Sequence, residues 1–274
     1  MRITILGGGN MATALIGGLR EKGFSAAGMQ VIELNAEVRD ALTEKFGVRC
    51  TETIDAASLN CEVLMLAVKP QQMREALKPL IGQLRNQLVI SIAAGIRVAD
   101  IARWLGGESG DYGRIVRTMP NTPALIGAGI TGLYAAPDVD AEQRQLADTI
   151  LAAVGSTLWV EDESQVDAVT AISGSGPAYV FYFIEALESA ALELGFDLPS
   201  ARKLALETTL GAARLAARSN DAPAILRERV TSKGGTTEAA LRSLENDAVR
   251  AAVARAAQAA AARGRELGLQ LGQD

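Results

Sequence analysis

Three consecutive glycines, Gly7-Gly8-Gly9, follow the first short apolar run of the chain and precede an amphipathic segment. Gly7, Gly9 and Ala12 fit the spacing G-x-G-x-x-[GA]. In this pattern the first glycine permits a tight strand-to-helix turn, the second lets a dinucleotide pyrophosphate approach the backbone, and the small third residue lets the helix lie close to the sheet. The helix N-terminus offers free N–H groups to that anion. The cluster therefore predicts a βαβ unit that binds a dinucleotide, and a purely structural glycine turn is the alternative.

The pattern of the whole chain indicates two domains. Up to residue 162, short β-branched runs alternate with amphipathic segments, which is typical of a parallel sheet covered by crossover helices. We predict strands at residues 2–6, 29–34, 62–68, 87–92, 113–118, 130–135 and 157–160, and helices at residues 10–22, 36–46, 71–84, 98–105 and 141–154. After residue 162 the prevalence of Ala, Leu, Glu and Arg predicts helices only, at residues 165–173, 177–194, 200–219, 223–229 and 238–267. The expected fold is an α/β Rossmann-type domain with a doubly wound, mostly parallel sheet (1–162), followed by an all-α domain (163–274).

The composition excludes several kinds of site. The chain has no histidine, which rules out Ser-His and Cys-His dyads, His-ligated zinc and imidazole acid-base catalysis. Its two cysteines, Cys50 and Cys61, are too few for a disulfide framework or a four-thiolate site, so no resident metal is expected. The 27 basic residues face 32 acidic ones and form no basic run, so no nucleic-acid partner is expected.

The hydropathy of the sequence indicates where in the cell the protein is expected. No apolar stretch approaches the roughly 20 residues that span a bilayer, and the first residues lack the apolar region of a signal peptide. We therefore expect no membrane partner and a cytoplasmic location.

An alanine-rich segment lies in the last predicted helix, where nine of the twelve residues 251–262 are alanine. Such small side chains let another helix approach closely, and a bundle with so little bulk often completes its core across a subunit interface. The segment favours a homo-oligomer, and a surface helix that propagates well is the alternative.

Glu33 ends the second predicted strand, where an acidic residue would hydrogen-bond the adenosine ribose hydroxyls of a dinucleotide. Its carboxylate would repel a 2′-phosphate, the next residue is Leu34, and the nearest arginine, Arg39, lies in the following predicted helix. The sequence therefore favours NADH slightly over NADPH. A solvated glutamate at a strand end is the alternative.

The carboxyl ends of further strands carry two motifs, Ala67-Val68-Lys69-Pro70 and Met119-Pro120-Asn121. In a doubly wound sheet these ends line the ligand crevice, and the prolines make its walls rigid. Lys69 could bind ribose or loop carbonyls, or be solvated, and Asn121 could offer its amide to a nicotinamide or a substrate carboxylate. The candidate cofactor-binding residues are Gly7, Gly9, Asn10, Met11, Ala12, Glu33, Ala67, Val68, Lys69, Pro70, Ala93, Met119, Pro120 and Asn121.

Two clusters of small and hydroxylated residues lie in the helical half. One runs from Ser173 to Tyr179, and the other from Thr231 to Glu238 at the start of the last predicted helix. The exposed N–H groups and four hydroxyls of the second cluster suit a small carboxylate. The alternative is an N-cap formed by Thr236 or Thr237.

These motifs resemble those of pyrroline-5-carboxylate reductases. The resemblance rests on the opening Gly-Gly-Gly-Asn-Met, on the two strand-end motifs, on the Ser173–Tyr179 cluster and on residues 223–245, and so covers nearly the whole chain. It implies reduction of 1-pyrroline-5-carboxylate, a cyclic imino acid, to L-proline by NADPH or NADH in the last step of proline biosynthesis. It also implies a dimerisation domain whose helices interleave with those of a partner subunit, and it leaves open a ring of five dimers.

The resemblance also implies roles for residues of the helical half. The Thr237 hydroxyl would hydrogen-bond the imine nitrogen in a positioning and relay role, because a threonine hydroxyl is too weak an acid to be an efficient proton donor. The other implied substrate-binding residues are Ser175, Ser232, Gly234, Gly235 and Thr236. A cyclic imine is basic enough to arrive partly protonated, which would explain the missing imidazole.

Two other functions fit parts of the pattern. A β-hydroxyacid dehydrogenase of the same two-domain build would use a lysine of the helical half, Lys203 or Lys233. A dinucleotide-binding regulator would use the helical half for assembly only.

Overall fold

The computed structural model describes residues 1–108 and 110–273, which form two compact units. The sheet unit comprises Met1–Ser175 with residues 260–273, and the helical unit comprises Gly176–Ala259. Ser109 and Asp274 fall within the predicted domains 1–162 and 163–274 and lie outside the described residues. The predicted domain boundary after residue 162 lies before the start of the helical unit at Gly176, and one helix and one π-helical turn lie between the two positions. The boundary stays a prediction.

The sheet unit contains an eight-stranded sheet in the spatial order β3-β2-β1-β4-β5-β6-β7-β8. Only the β6–β7 pair is antiparallel among these neighbours, which confirms the doubly wound, mostly parallel sheet. The strands are β1 (Ile3–Leu6), β2 (Met29–Ile32), β3 (Arg49–Thr51), β4 (Val63–Leu66), β5 (Leu88–Ser91), β6 (Ile115–Met119), β7 (Gly129–Ala135) and β8 (Gly155–Trp159).

Seven helices belong wholly to the sheet unit. They are α1 (Asn10–Glu21), α2 (Ala36–Phe46), α3 (Ala56–Leu59), α4 (Pro70–Leu77), α5 (Val98–Leu105), α6 (Ala141–Leu151) and α7 (Ser164–Val169). Short 3₁₀ turns occur at Ala26–Gly28, Lys78–Leu80, Thr122–Ile126 and Ala152–Val154, and a π-helical turn occurs at Thr170–Gly174.

The core of the sheet unit lies on the central strands. Every residue of β1, β2, β4 and β5 is buried, as expected of parallel strands covered on both faces. Helix α1 packs closely at Gly18 against the 3₁₀ turn Ala152–Val154, where an added Cβ would lie 2.5 Å from the carbonyl oxygen of Ala153. The apolar strands thus hold the glycine loop and the other strand ends in fixed positions.

The second half of the chain is helical, as predicted. Its helices are α8 (Gly176–Glu193), α9 (Leu198–Arg218), α10 (Pro223–Arg229), α11 (Thr236–Asn246) and α12 (Val249–Leu271). In the helical unit only Ala201 and Ala205 are buried. The end of α12 returns to the sheet unit, where Gly268 packs against Gly95.

Some predicted elements were wrong. The single helix at residues 238–267 is instead two helices, since Ala248 interrupts it with φ of 52°. Left-handed backbone at an alanine costs about 1–2 kcal/mol. Because alanine also has a high helix propensity, the sequence shows no sign of the break. The helix predicted at residues 71–84 ends at Leu77 as an α-helix and continues as the 3₁₀ turn Lys78–Leu80, because Pro79 lacks the N–H that an α-helix would direct at the carbonyl of residue 75. β3 and α3 were missed because they have only three and four residues.

None of the helices in the described part of the chain is both long and apolar enough to cross a membrane.

Candidate active site

The glycine loop lies where the strand order changes direction, between β1 and β4. Gly7 has φ of +103°, which L side chains rarely adopt, and an added Cβ would lie 2.7 Å from the carbonyl oxygen of Ala67. The backbone of Gly7 therefore packs directly against the backbone of Ala67 and Val68, and a residue with a side chain would not fit at position 7. The two motifs meet at the switch point of the sheet, which is where doubly wound folds bind ligands.

The N-terminus of α1 is open at this loop. Gly9 is its N-cap residue, no side chain caps it, and the first turn contains no acidic residue. An added Cβ at Gly9 would meet nothing within 4 Å, whereas Ala12 is fully buried beneath the helix. The first-turn N–H groups, which include those of Met11 and Ala12, thus lack a side-chain acceptor. This arrangement fits the pyrophosphate of a dinucleotide.

Glu33 closes the other side of the loop. Its carboxylate accepts N–H hydrogen bonds from Gly8 at 2.8 Å and from Asn35 at 2.9 Å. Arg39 donates from Nη1 to the carbonyl oxygens of Glu33 and Leu34, each at 2.8 Å. The carboxylate is therefore held by two N–H groups, and the nearest arginine is directed at backbone carbonyls.

The remaining strand ends place their candidate residues at the same edge of the sheet. The Ala67 N–H donates to the carbonyl of Leu6 at 2.8 Å. Lys69 is exposed and is the N-cap residue of α4, whose first residue is Pro70. Ala93 follows β5 and is 4% exposed. The carboxyl ends of β1, β2, β4, β5 and β6 thus bring together the predicted cofactor-binding residues.

Asn121 follows β6 and is 9% exposed. Its Nδ2 donates to the carbonyl oxygen of Ser173 at 3.1 Å, and its Oδ1 accepts the N–H of Ile130 at 2.9 Å. Both ends of the amide are therefore engaged within the sheet unit. Ser175, a predicted substrate-binding residue, is half-buried at the end of this unit, and its N–H donates to the carbonyl of Thr170 at 2.8 Å.

The helical unit contains the other predicted substrate-binding residues in one loop. Gly234 has φ of +73° and donates its N–H to the Glu238 carboxylate at 2.7 Å. Gly235 is the N-cap residue of α11, and no side chain caps this helix, so neither Thr236 nor Thr237 serves as its cap. Ser232, Gly234 and Thr236 are exposed, while Gly235 and Thr237 are half-buried.

This loop has the polar groups that a small anion requires. The hydroxyls of Thr236 and Thr237 stand in the first turn of a helix whose N-terminal N–H groups have no side-chain acceptor. Such a helix end favours a carboxylate, and the hydroxyls can donate to it or to a neighbouring nitrogen.

The two halves of the chain match two family models. The one described as "Pyrroline-5-carboxylate reductase dimerisation" covers residues 163–267, and "NADP oxidoreductase coenzyme F420-dependent" covers residues 2–95. A pyrroline-5-carboxylate reductase from Pseudomonas aeruginosa is 45% identical over 273 residues, which are 99% of this chain and 98% of that protein. The chain belongs to the pyrroline-5-carboxylate reductase family.

Solved structures of pyrroline-5-carboxylate reductases share the architecture. One from Coxiella burnetii has a TM-score of 0.91 and 42% sequence identity, covering 97% of this chain and 98% of its own. One from Plasmodium falciparum, with NADP bound, has a TM-score of 0.85 and 26% identity, covering 98% of both chains. The resemblance read from the motifs is thereby confirmed.

A buried charge cluster beside these strand ends was missed in the sequence. Arg117, in β6, is 1% exposed and pairs with Asp167 at 2.9 Å and with Glu163 at 3.0 Å. Arg97 also pairs with Asp167, at 2.7 Å, and the Glu163 carboxylate accepts the N–H of Val98 at 2.8 Å. These residues are widely spaced along the chain and follow no motif, so no sequence signal indicated that they meet. In this member of the pyrroline-5-carboxylate reductase family, these ion pairs connect α7 to β6 of the sheet.

Proposed function

We propose that the chain reduces 1-pyrroline-5-carboxylate to L-proline with NADH or NADPH, as the last step of proline biosynthesis. The observation that carries the proposal is the 45% identity with a pyrroline-5-carboxylate reductase over 99% of the chain. The open helix N-terminus at Gly9 and the hydroxyl-rich loop before α11 supply the two kinds of polar group that such an enzyme needs.

The sheet unit would hold the dinucleotide. Gly9 and the N–H groups of Asn10, Met11 and Ala12 suit its pyrophosphate, and the strand ends from Ala67 to Pro70, with Ala93, Met119 and Pro120, would form the walls of the crevice. When bound, the nicotinamide supplies the hydride that the imine carbon accepts, and one proton ends on the ring nitrogen.

NADH is the proposed preferred coenzyme. The Glu33 carboxylate is fixed beside the glycine loop by the N–H groups of Gly8 and Asn35, where it can accept ribose hydroxyls and would repel a 2′-phosphate. Arg39, the nearest arginine, is directed at the carbonyls of Glu33 and Leu34. Its guanidinium is therefore not oriented as a phosphate ligand.

The loop of the helical unit would hold the substrate. In this proposal Ser232, Gly234, Gly235 and Thr236 bind the carboxylate through N–H groups and hydroxyls, and the substrate carboxylate displaces that of Glu238 from the Gly234 N–H. Ser175, in the sheet unit, is a further proposed substrate-binding residue. Thr237 orients the imine nitrogen and relays its proton. No imidazole is required, because the imine can bind already protonated and the protein then only has to position it.

Assembly and location follow from the family. Members of this family have a dimerisation domain, matched here by residues 163–267. The sparse burial of the helical unit supports a homodimer formed through these helices, and a decamer of five dimers is the further possibility that family resemblance leaves open. We place the enzyme in the cytoplasm, with a small cyclic imino acid as its partner and neither nucleic acid nor membrane.

The reverse reaction separates this proposal from its alternatives. We expect L-proline, or its thio-analogue, to support NAD⁺ reduction by the wild-type protein at alkaline pH, whereas 3-hydroxyacids do not. A β-hydroxyacid dehydrogenase would give the opposite result. A regulator that only binds the dinucleotide would give no reduction with either substrate, although it would still bind NADH.

A further inference from the structure

The π-helical turn Thr170–Gly174 is joined to the end of β6 by two contacts. The Asn121 Nδ2 donates to the Ser173 carbonyl at 3.1 Å, and an added Cβ at Gly174 would lie 2.6 Å from Cε of Met119. Two residues of the motif Met119-Pro120-Asn121 thus contact two residues of the turn. Because π-helical turns are rare and often occur at functional sites, this turn is a candidate for a role in the site.

The sequence explains why the Ser173 carbonyl needs an outside donor. In an α-helix this carbonyl would accept the N–H of residue 177, but residue 177 is proline and has no N–H. A buried carbonyl without a donor is costly, so a side-chain amide is a suitable substitute. Asn121 is 9% exposed and is fixed from its other end by the N–H of Ile130, which leaves Nδ2 aimed at this carbonyl.

The π-helical turn also fixes the position of Ser175. The Ser175 N–H closes the turn by donating to the Thr170 carbonyl at 2.8 Å, and Ser175 follows directly after Gly174. A displacement of the Ser173 carbonyl would therefore move the Ser175 backbone and hydroxyl with it.

We propose that Asn121 is a positioning residue whose amide holds the Thr170–Gly174 turn against the end of β6 and so places Ser175 for the substrate. The inference rests on the proposed function only in giving Ser175 a contact with the imino acid. From the sequence alone, Asn121 is interpreted as a ligand of the coenzyme or the substrate. In this proposal its amide instead donates to the Ser173 carbonyl of the protein itself.

Two substitutions separate the two hydrogen bonds of the amide. Asn121→Ala removes both. Asn121→Asp retains an oxygen to accept the Ile130 N–H but places a second, negatively charged oxygen against the Ser173 carbonyl, so the bond to the turn is replaced by repulsion. Ser173→Ala is the matched control, because it removes the hydroxyl from the same turn and leaves the carbonyl in place.

We expect Asn121→Asp to raise the KM for 1-pyrroline-5-carboxylate by about 10-fold, because the turn that places Ser175 loses its hydrogen-bond donor, with the Kd for NADH within about 2-fold of wild type. Amide hydrogen exchange at residues 170–176 should accelerate in the same variant, and Ser173→Ala should change none of these quantities. If Asn121→Ala fails to fold, Asn121→Asp carries the test, since it preserves the size of the side chain and the bond to Ile130.

Three results would overturn the inference. A weaker Kd for NADH with normal exchange in the turn would make Asn121 a coenzyme ligand. A wild-type KM in Asn121→Asp would show that the bond to Ser173 does not place the substrate, and unchanged exchange would show that it does not hold the turn. If the wild-type protein does not reduce the imino acid, the proposed function fails, while hydrogen exchange and NADH affinity still decide whether Asn121 holds the turn.

Discussion

At the scale of single residues, the Glu33 carboxylate joins the end of β2 to the glycine loop. It accepts the N–H of Gly8 at 2.8 Å and the N–H of Asn35 at 2.9 Å, so it is held from two sides. A carboxylate fixed in this way lies next to the proposed ribose site. The expected consequence is discrimination against a 2′-phosphate.

The substitution Glu33→Gln tests this consequence. Glutamine keeps one oxygen for the loop N–H groups but removes the charge, so we expect the ratio of kcat/KM for NADH to that for NADPH to fall by ~10-fold, as loss of a hydrogen bond to a charged group implies. Steady-state kinetics with both coenzymes measures the ratio, and Glu33→Ala should narrow it in the same direction. A wild-type protein that already prefers NADPH strongly would show that the proposed role of Glu33 is wrong.

Thr237 gives a second prediction at this scale. Removing its hydroxyl in Thr237→Ala should lower kcat by ~10-fold or more, because one well-placed donor can contribute a few kcal/mol to a transition state. The Kd for NADH should stay near the wild-type value, as fluorescence titration would show. Thr237→Ser is the matched variant that retains the hydroxyl and should retain most of the turnover. Unchanged turnover in Thr237→Ala would exclude the role.

The tight turn at Gly7 and the helix start at Gly9 were predictable from the sequence, because the spacing of the glycines reflects a backbone geometry that few other residues permit. The partners of Asn121 were not. Its hydrogen bonds to Ser173 and Ile130 join positions 52 and 9 residues away along the chain, and a single amide side chain carries no sign of where its partners lie.

At the scale of elements, the charge cluster around Arg117 ties α7 to the sheet. Asp167 is 2% exposed and pairs with both Arg117 and Arg97, whereas the Arg263–Glu266 pair lies at the surface. Removing Asp167 would leave the buried Arg117 paired with Glu163 but without its second carboxylate, which costs far more than losing a surface pair.

We therefore expect Asp167→Ala to lower the free energy of unfolding by about 3–5 kcal/mol. Glu266→Ala, the surface control, should cost less than about 1 kcal/mol. Denaturant unfolding of both variants at one protein concentration measures the difference. Equal losses in the two variants would mean that the cluster around Arg117 does not stabilise the fold.

Strands that are buried on both faces were the elements easiest to predict, since β4 is apolar along its whole length and β5 is apolar except for Ser91. The break at Ala248 could not be predicted. Alanine is the strongest helix former, and its φ of 52° there goes against its intrinsic preference. β3 could not be predicted either, because its three residues give too weak a sequence signal, although the strand pairs directly with β2.

At the scale of the whole molecule, the helical unit buries too little of its own surface to be stable alone. Only Ala201 and Ala205 are buried in it, while Phe181, Tyr182 and Leu194 are 64%, 75% and 80% exposed. Exposed apolar surface on this scale marks an interaction site. Together with the family's dimerisation domain, it supports assembly through these helices.

The substitution Phe181→Glu should therefore weaken the homodimer. A charge at an apolar interface is expected to raise the dissociation constant by about 10-fold or more, because a buried unpaired charge is strongly unfavourable. Analytical ultracentrifugation over a range of protein concentrations measures this shift. Ile81→Glu is the control, since Ile81 is 48% exposed in the sheet unit. Dissociation in the control alone, or in neither variant, would contradict an interface at Phe181.

The central claim, that this histidine-free chain transfers a hydride to a cyclic imine, is tested most directly by isotope transfer. Wild-type protein would be incubated with 1-pyrroline-5-carboxylate and NADH that carries deuterium at the transferable C4 position, and the product analysed by mass spectrometry. We predict L-proline with one deuterium on the ring carbon next to nitrogen and away from the carboxylate. Proline without deuterium, or no proline, would contradict the account.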